Sequence, residues 1–522
     1  MTNEMWEKLK AYIRQDEAEA AANGVELPLV YDISANDNNR ICTCEFCQAI
    51  INREGGDAGL ILYFVNQLAA KLKEFRPGLY VSTLAYMNTE MAPEHIRPLD
   101  NVVIRLCDTS SSNFSSIQAP ENKVFHDKLL DWSVAAAHLY IWKYAITYGV
   151  ADLPYPSEFD YPDQFRFYRD HKVKFMFMEH EKPERADMHT MKTWLEAKFL
   201  ENPDADFEQL STDFLNSYYG TAGKFIGEYR RLLRNSVKKH NSMACAYIPN
   251  VGAFNFLDLE TVRHGQELFD LAENSVKNDP VLLRRVRRER LNLDKAVYVR
   301  IRELSREWRQ LGRSMDEFPF SLSDSIRRAE EIWTAAIDFN YGKLPYRGSA
   351  LEQMKKELDL YANLPVEVPV NDKFENGIEF TVEQGNPNGR KIVPDPESSI
   401  GYAAMVDLSN GPGIHKLPLL MGGYVASTKA NQFGKVITAA QVKGPGYNWY
   451  STPEFTPEPS GYIFFLNDWT IQFTQDVAAS LRDGRKYKAW ASIKFTGPDF
   501  SHGRPGEKNA IYVDRCVMVP VD

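Results

Sequence analysis

The chain reads as an α/β protein: the C-terminal part of a (β/α)8 TIM-type barrel lacking its first strands, a helical region, and a C-terminal β-sandwich. Three observations carry this. Short apolar runs alternate with amphipathic helical patterns at spacings of roughly 25 to 50 residues over the first 180, the rhythm of parallel strands joined by right-handed crossovers. Each run ends in a polar or aromatic group: Asp37, Tyr86, Asp108, Tyr144 and Glu179. Barrel folds place their working groups at that end of the strand. After Pro365 the pattern changes to short β-branched and aromatic runs punctuated by Gly, Pro and Asn, the mark of an antiparallel sandwich.

In order, residues 4–22 carry Met5, Leu9, Tyr12 and Ile13 on one helical face, stopped by Asn23-Gly24. Leu29–Ile33 is a short apolar run, as expected of a buried parallel strand. It ends at Ser34-Ala35-Asn36-Asp37, where turn chemistry and a ligand-facing rim are equally open readings. A helix over 59–74 leads to a strand at Leu79–Tyr86, and Val102–Cys107 is a third. A helix over Val124–Ala136 precedes the strand His138–Tyr144, and one over Asp163–His171 precedes Val173–Met178. A doubly wound sheet is the alternative, but the glycine-rich phosphate turn that usually follows its first strand is missing. Five strands fall three short of a barrel, so the expectation is that the chain starts inside one, and that either a preceding portion was removed or lost or something else covers the open edge.

From about 190 to 362 the pattern is helical. A helix predicted from 281 to 311 carries nine arginines between Arg284 and Arg309. Interleaved Glu289, Asp294, Glu303 and Glu307 favour a solvated, salt-bridged face over a nucleic-acid surface. Leu364–Asp372 is the expected boundary, giving segments 1–190, 191–364 and 365–522. In the last, Tyr447, Trp449 and Tyr450 suggest a carbohydrate-binding face or the packing of an edge strand.

The 522 residues carry a net charge of −10, which argues against a nucleic-acid partner. No apolar run reaches the roughly 20 residues of a membrane span. Glu4, Glu7, Lys8 and Lys10 in the opening turns do not read as a signal peptide. Nothing points to an organic cofactor or to an oligomeric state. Nine Trp and 26 Tyr fill cores, but they also suit stacking on sugar faces.

Glycoside hydrolysis needs two carboxyl groups, or one plus a substrate acetamido group. Asp37 and Glu179 are the candidates, on strands expected to face each other across the barrel mouth. Phe175, Phe177 and Met178 would give Glu179 the apolar setting of a protonated acid, with Asp37 as base or orienting group. The bland reading pairs Glu179 with His180, Lys182 or Arg185. Asn36, Tyr86, Trp142 and Tyr144 are expected at a sugar subsite, although Trp142 lies mid-strand and suits the core better. Arg105 and Asp108 would bind a charged or hydroxyl-rich substituent, an internal ion pair being the more ordinary role for Arg105. Cys42, Cys44 and Cys47 fit a structural Zn²⁺ site with Cys107, His126 or an acidic group as fourth ligand. A disulfide or plain thiols are the alternatives.

Several strings in order add a resemblance. Ser34-Ala35-Asn36-Asp37 with Cys42, Cys44 and Cys47, then Asn66 and Leu84-Ala85-Tyr86, resemble the domain-of-unknown-function family 4838. So do Arg97-Pro98-Leu99-Asp100-Asn101-Val102, Tyr140–Tyr144 and Asp213-Phe214-Leu215 with Tyr219-Gly220. The resemblance implies a relative of glycoside hydrolase barrels of the hexosaminidase and α-glucuronidase kind, secreted or periplasmic. It also implies preceding barrel strands, which would make Leu29–Ile33 the fourth. Lys143 departs from it, standing where the family carries an acidic residue. The combined expectation is a retaining exo-glycosidase acting on an amino sugar or uronic acid, with a non-catalytic carbohydrate-binding protein as the rival.

Overall fold

The computed structural model describes residues 2–38, 40–148, 152–181, 185–247, 254–336, 348–363, 374, 377–382, 391–408, 419–425, 430–437, 441–458, 461–465, 469–472, 484–500, 502–503 and 505–521. Five strands, β1 (Val30–Asp32), β2 (Tyr80–Ala85), β3 (Val102–Asp108), β4 (His138–Ala145) and β5 (Val173–His180), form one sheet in sequential order. Every pairing is parallel. The order never reverses, so there is no doubly wound switch point; the sheet is a curled half-barrel. A closed eight-stranded barrel is not formed by the described residues.

Alternation along the strands divides the residues between two faces. Tyr31, Val81, Ile104, Leu106, Leu139 and Ile141 turn toward a helical layer. That layer consists of α1 (Thr2–Asn23), α2 (Glu45–Glu54), α3 (Asp57–Phe75), α4 (Lys123–Ala135) and α5 (Tyr161–Asp170). Leu62, Val65, Ala69 and Leu72 of α3, with Leu129 and Trp132 of α4, complete this core. The family strings are partly scaffold. Asn66 clamps the loop before β3, donating to the Arg97 carbonyl at 2.9 Å and accepting from Leu99 N–H at 3.1 Å. Tyr219 donates to buried Glu289 at 3.1 Å.

The helical region comprises α6 (His189–Glu201), α7 (Phe207–Tyr219), α8 (Gly223–His240), α9 (Leu259–Ser275), α10 (Pro280–Val299), α11 (Ile301–Gln310), α12 (Leu322–Ala336) and α13 (Gly348–Asn363). The single helix expected over 281–311 is two. Arg300 leaves helical geometry at φ −113°, ψ 14°, and its guanidinium donates to the Phe254 carbonyl at 2.6 Å. The charged face is ion-paired as expected, but much of it is not solvated. Glu289, Arg290, Asp294, Arg300 and Arg302 are buried. Arg290 reaches Glu273 at 2.8 Å on α9, and Arg328 of α12 donates to Asp294 at 2.9 Å. These charges tie packed helices to each other. The same core takes in Phe114, Leu153, Tyr155, Tyr161 and Phe165 from the strand-end loops and α5.

The remaining strands are β6 (Ile378–Thr381), β7 (Lys391–Pro394), β8 (Tyr402–Asp407), β9 (Leu419–Val425), β10 (Ala430–Ile437), β11 (Asn448–Phe455), β12 (Tyr462–Phe465), β13 (Trp469–Gln472), β14 (Tyr487–Thr496) and β15 (Ala510–Pro520). They make two antiparallel sheets, β10-β9-β12-β13 and β11-β14-β15-β8-β7, with β6 on β15. Ile463, Phe465 and Ile471 from the first share a core with Tyr487, Ile493 and Met518 from the second. Tyr447 donates to Asp395 at 2.8 Å, Trp449 packs on Phe374, and Tyr450 is buried. Tyr447 and Trp449 are half-buried. The packing of edge strand β11 and of the loop leading into it accounts for them. The Leu364–Asp372 boundary lies outside the described residues.

One buried ion pair stands out in the half-barrel. Lys143 Nζ lies 2.6 Å from Asp108 Oδ2, and both side chains are sealed on the helix side of the sheet. Asp108 Oδ1 also accepts from Ser111 N–H at 3.0 Å. Breaking such a pair from one side leaves an uncompensated charge. Lys143→Met is therefore expected to cost about 3–5 kcal/mol in urea unfolding. Lys143→Met with Asp108→Asn, which keeps an acceptor for Ser111, should recover most of that loss.

Candidate functional site

The C-terminal ends of the five strands meet at a cavity of about 500 Å³. From the loop after β1 come Asn36, Asp37 and Arg40; from the turn after β2 comes Tyr86, and from β3, Cys107. Trp142 and Tyr144 of β4 and Glu179 of β5 form the opposite wall. Asp37, from the loop after the first strand, and Glu179, on the last, thus line one space.

Two further residues complete it that no sequence pattern indicated. Tyr148 follows β4, and Tyr247 comes from the connection after α8, about a hundred residues later in the chain. Tyr247 hydroxyl lies 3.2 Å from that of Tyr86, and the Tyr148 and Tyr247 rings are 5.6 Å apart. With Trp142 and Tyr144 at 6.3 Å in stacked geometry, five aromatic rings line the cavity. A tyrosine in a connection beyond a helix carries no local signal that it will reach a rim built by distant strands.

Glu179 is held by donors. Trp142 Nε1 donates to one carboxyl oxygen at 2.8 Å, and the Tyr148 hydroxyl donates to the other. Burial first, then the bond to Glu179, pushes the Tyr148 hydroxyl above its ordinary range, so it stays protonated. Tyr86 is pushed up as well, by burial, the Tyr247 hydrogen bond and nearby charges including that of Asp37. Burial drives the Cys107 thiol up to about 12, which leaves it a neutral wall group.

The expected apolar jacket around Glu179 is not formed as foreseen. Phe175 and Phe177 are 47% and 41% exposed, the first tilted against Tyr140 and the second edge-to-face with Trp142. Alternation turns Met178 to the other face. The bland partners are engaged elsewhere: His180 bonds Glu196 at 2.8 Å, and Arg185 pairs with Asp152. Lys182 lies outside the described residues.

Arg105 and Asp108 do not line the cavity. Arg105 sits deeper on the concave face, 3.7 Å from Asp32 and over the Tyr140 ring at 4.7 Å. Asp108 points to the helix side and belongs to Lys143. Trp142, assigned more readily to the core, instead faces the cavity. Cys42, Cys44 and Cys47 gather beside the site with all three sulfurs within 4.8 Å of each other. Cys107 and His126 are elsewhere. The first is in the cavity wall; the second is bonded to Asp127 at 3.1 Å and packed on Phe167.

Residues 6–231 match the model of a family described as a domain of unknown function (DUF4838). No curated protein matches the chain. The solved structure of a GH138 enzyme targeting pectin rhamnogalacturonan II aligns at 10% identity with a TM-score of 0.28, covering 96% of this chain and 73% of that one. Likeness that weak carries no argument here. Among the described residues no helix is long and apolar enough to cross a membrane.

The loop bearing Tyr148 is anchored by a carboxyl. Glu181 accepts from Thr147 Oγ1 at 3.2 Å and from Asp152 N–H at 2.9 Å. Burial, then the charge of Asp152, raises its pKa from 4.5 to about 7. A carboxyl whose folded pKa is raised binds its proton more tightly in the fold. Its stabilising contribution is complete below about 4.5 and is lost as pH rises through about 7. Glu181→Gln is expected to flatten the pH dependence of thermal stability across that window, a difference on the order of 3 kcal/mol.

Proposed function

We propose that the strand-end cavity holds the terminal sugar of a glycan and that Asp37 and Glu179 are the two carboxyl groups acting on it. The observation that carries this reading is the joining of both carboxyls with a wall of five aromatic rings in one cavity. Aromatic faces stack on the C–H face of a sugar, while carboxylates accept its hydroxyls or work on its glycosidic bond. A volume of about 500 Å³ is in the range of small-molecule sites. It suits one or two residues at a chain end, hence exo action.

Glu179, oriented by Trp142 and Tyr148, meets the substrate as a hydrogen-bond acceptor. That suits an ionised carboxylate beside the anomeric centre, where positive charge develops in the transition state. Donors to both oxygens fit this role better than the protonated acid expected from sequence. Asp37, on the rim loop, is the second carboxyl, and Asn36 beside it contributes hydrogen bonds to hydroxyls.

The sugar is an amino sugar or a uronic acid, in keeping with a hexosaminidase- or α-glucuronidase-related protein that works outside the cytoplasm. Arg40, the cation among the cavity-lining residues, favours the uronic acid, whose carboxylate it would pair. The competing function is carbohydrate binding without turnover.

Assays on aryl glycosides of both sugar classes, with calorimetric binding of the free sugars, separate these. Asp37→Asn and Glu179→Gln are each expected to lower kcat by about 10²–10⁴-fold while binding persists. Arg40→Gln should raise KM selectively on uronides. Turnover that survives both carboxyl changes refutes the site, and glycan binding by a wild-type chain that hydrolyses nothing selects the binding function.

A further inference from the structure

Beside the cavity, three thiols converge without any role in the chemistry above. Cys42 and Cys44 are exposed and Cys47 is half-buried. Their sulfurs lie within 4.8 Å of one another, with Cys42 and Cys44 3.5 Å apart. Two thiolates bound to tetrahedral zinc at 2.3 Å are separated by about 3.8 Å, so small side-chain movements would close the triangle on one ion.

The backbone is arranged to present them together. Cys44 takes extended geometry, φ −68° and ψ 154°, immediately before α2, and Cys47 lies in the first turn of that helix. Gln48 donates from its side-chain amide to the Cys42 carbonyl at 2.9 Å, holding the incoming segment against the helix start. Among the described residues no other Cys, His, Asp or Glu joins the cluster. Cys42 and Cys44 are exposed, which leaves a fourth position within reach of water.

The location has a consequence for the cavity. The segment from Ser34 to Ile41 carries Asn36, Asp37 and Arg40. At its start, Ile33 N–H is tied to the Ser82 carbonyl at 2.8 Å. At its far end stand the three cysteines. An ion bound there would cross-link the end of the loop to α2, so that both ends of the Asn36–Arg40 segment are fixed.

We infer that Cys42, Cys44 and Cys47 form a three-thiolate site for Zn²⁺, its fourth position open to solvent, and that the bound ion fixes the rim loop bearing Asp37 and Arg40. Thiolates select soft or borderline ions of this kind. That the fixed loop serves a sugar rests on the proposed function; metal binding and loop protection do not.

The test uses the full chain, reduced and freed of metal, titrated with Co²⁺ and then Zn²⁺. One Co²⁺ per chain should bind with a near-ultraviolet thiolate-to-cobalt charge-transfer band and visible bands of tetrahedral cobalt, both displaced by one equivalent of Zn²⁺. The band should weaken in Cys42→Ser, Cys44→Ser and Cys47→Ser and vanish in the triple variant, while Cys245→Ser keeps it. In parallel, Zn²⁺ should slow tryptic cleavage after exposed Arg40 severalfold in the wild-type chain and leave the triple variant unaffected. Absence of stoichiometric cobalt binding, or its retention by the triple variant, overturns the site. So does a Cys44–Cys47 disulfide, found by peptide mass mapping, whose reduction restores no metal binding. Metal binding without protection at Arg40 overturns the loop function alone. Turnover plays no part in these readouts, so the glycan reading can fail independently.

Discussion

The parallel ladder of the half-barrel is the constraint on which the rest depends. Parallel strands joined by right-handed crossovers must all end on the same side. The register between β3 and β4 sets Cys107 beside Trp142, and that between β4 and β5 sets Tyr144 beside Glu179. A shift of one residue on β4 would turn Trp142 toward the helices and bring Lys143 to the cavity face. The apolar alternation that buries Leu139 and Ile141 is thus also what aims the indole at the Glu179 carboxyl.

The helical region is bound to this rim by charge as well as by packing. Buried Arg230 of α8 pairs with Glu158 at 2.7 Å and Asp187 at 2.8 Å, and Lys192 of α6 reaches Asp187 at 3.1 Å. Such charges are tolerated away from water only when mutually satisfied. They hold the loops after β4 and β5 to α6 and α8, and the connection beyond α8 returns to the rim with Tyr247. Asn113 closes the joint, donating from its side-chain amide to the Tyr144 carbonyl at 2.8 Å and from its backbone N–H to the Ala244 carbonyl at 2.7 Å. The cavity is therefore a product of two regions that composition alone would separate.

Much of the fold was legible because the signals were local. Leu139 and Ile141 alternate with Tyr140 and Trp142, and α3 shows helical spacing, although the face it buries (Leu62, Val65, Ala69 and Leu72) is not the Leu60, Tyr63, Phe64 and Gln67 face that the sequence suggests. The helix ending at Val299 was not separated from the one after it, since its break arises from a distant carbonyl on Phe254. Asp37 and Glu179 could be placed on the rim from their position at strand ends. Asp108 also ends its strand, yet it turns away, because at its register position the nearest cation is Lys143 on the helix side.

Composition, periodicity and strand-end chemistry determined on their own that this chain has an α/β half-barrel, a helical middle and an antiparallel β tail. They also pointed to Tyr86, Tyr144 and Glu179 as residues of one rim, from the side on which strands end, whereas Asn36 and Asp37 joined them only with the family resemblance, turn chemistry being equally open there. Tertiary structure alone decided which groups touch. It gave Glu179 its donors from Trp142 and Tyr148, sent Asp108 to Lys143, moved Arg290 of α10 from solvent into contact with α9, and brought Tyr247 to the cavity. Those outcomes depend on pairs 17 to 161 residues apart. Only the packed chain fixes such distances, because no local period reaches across them.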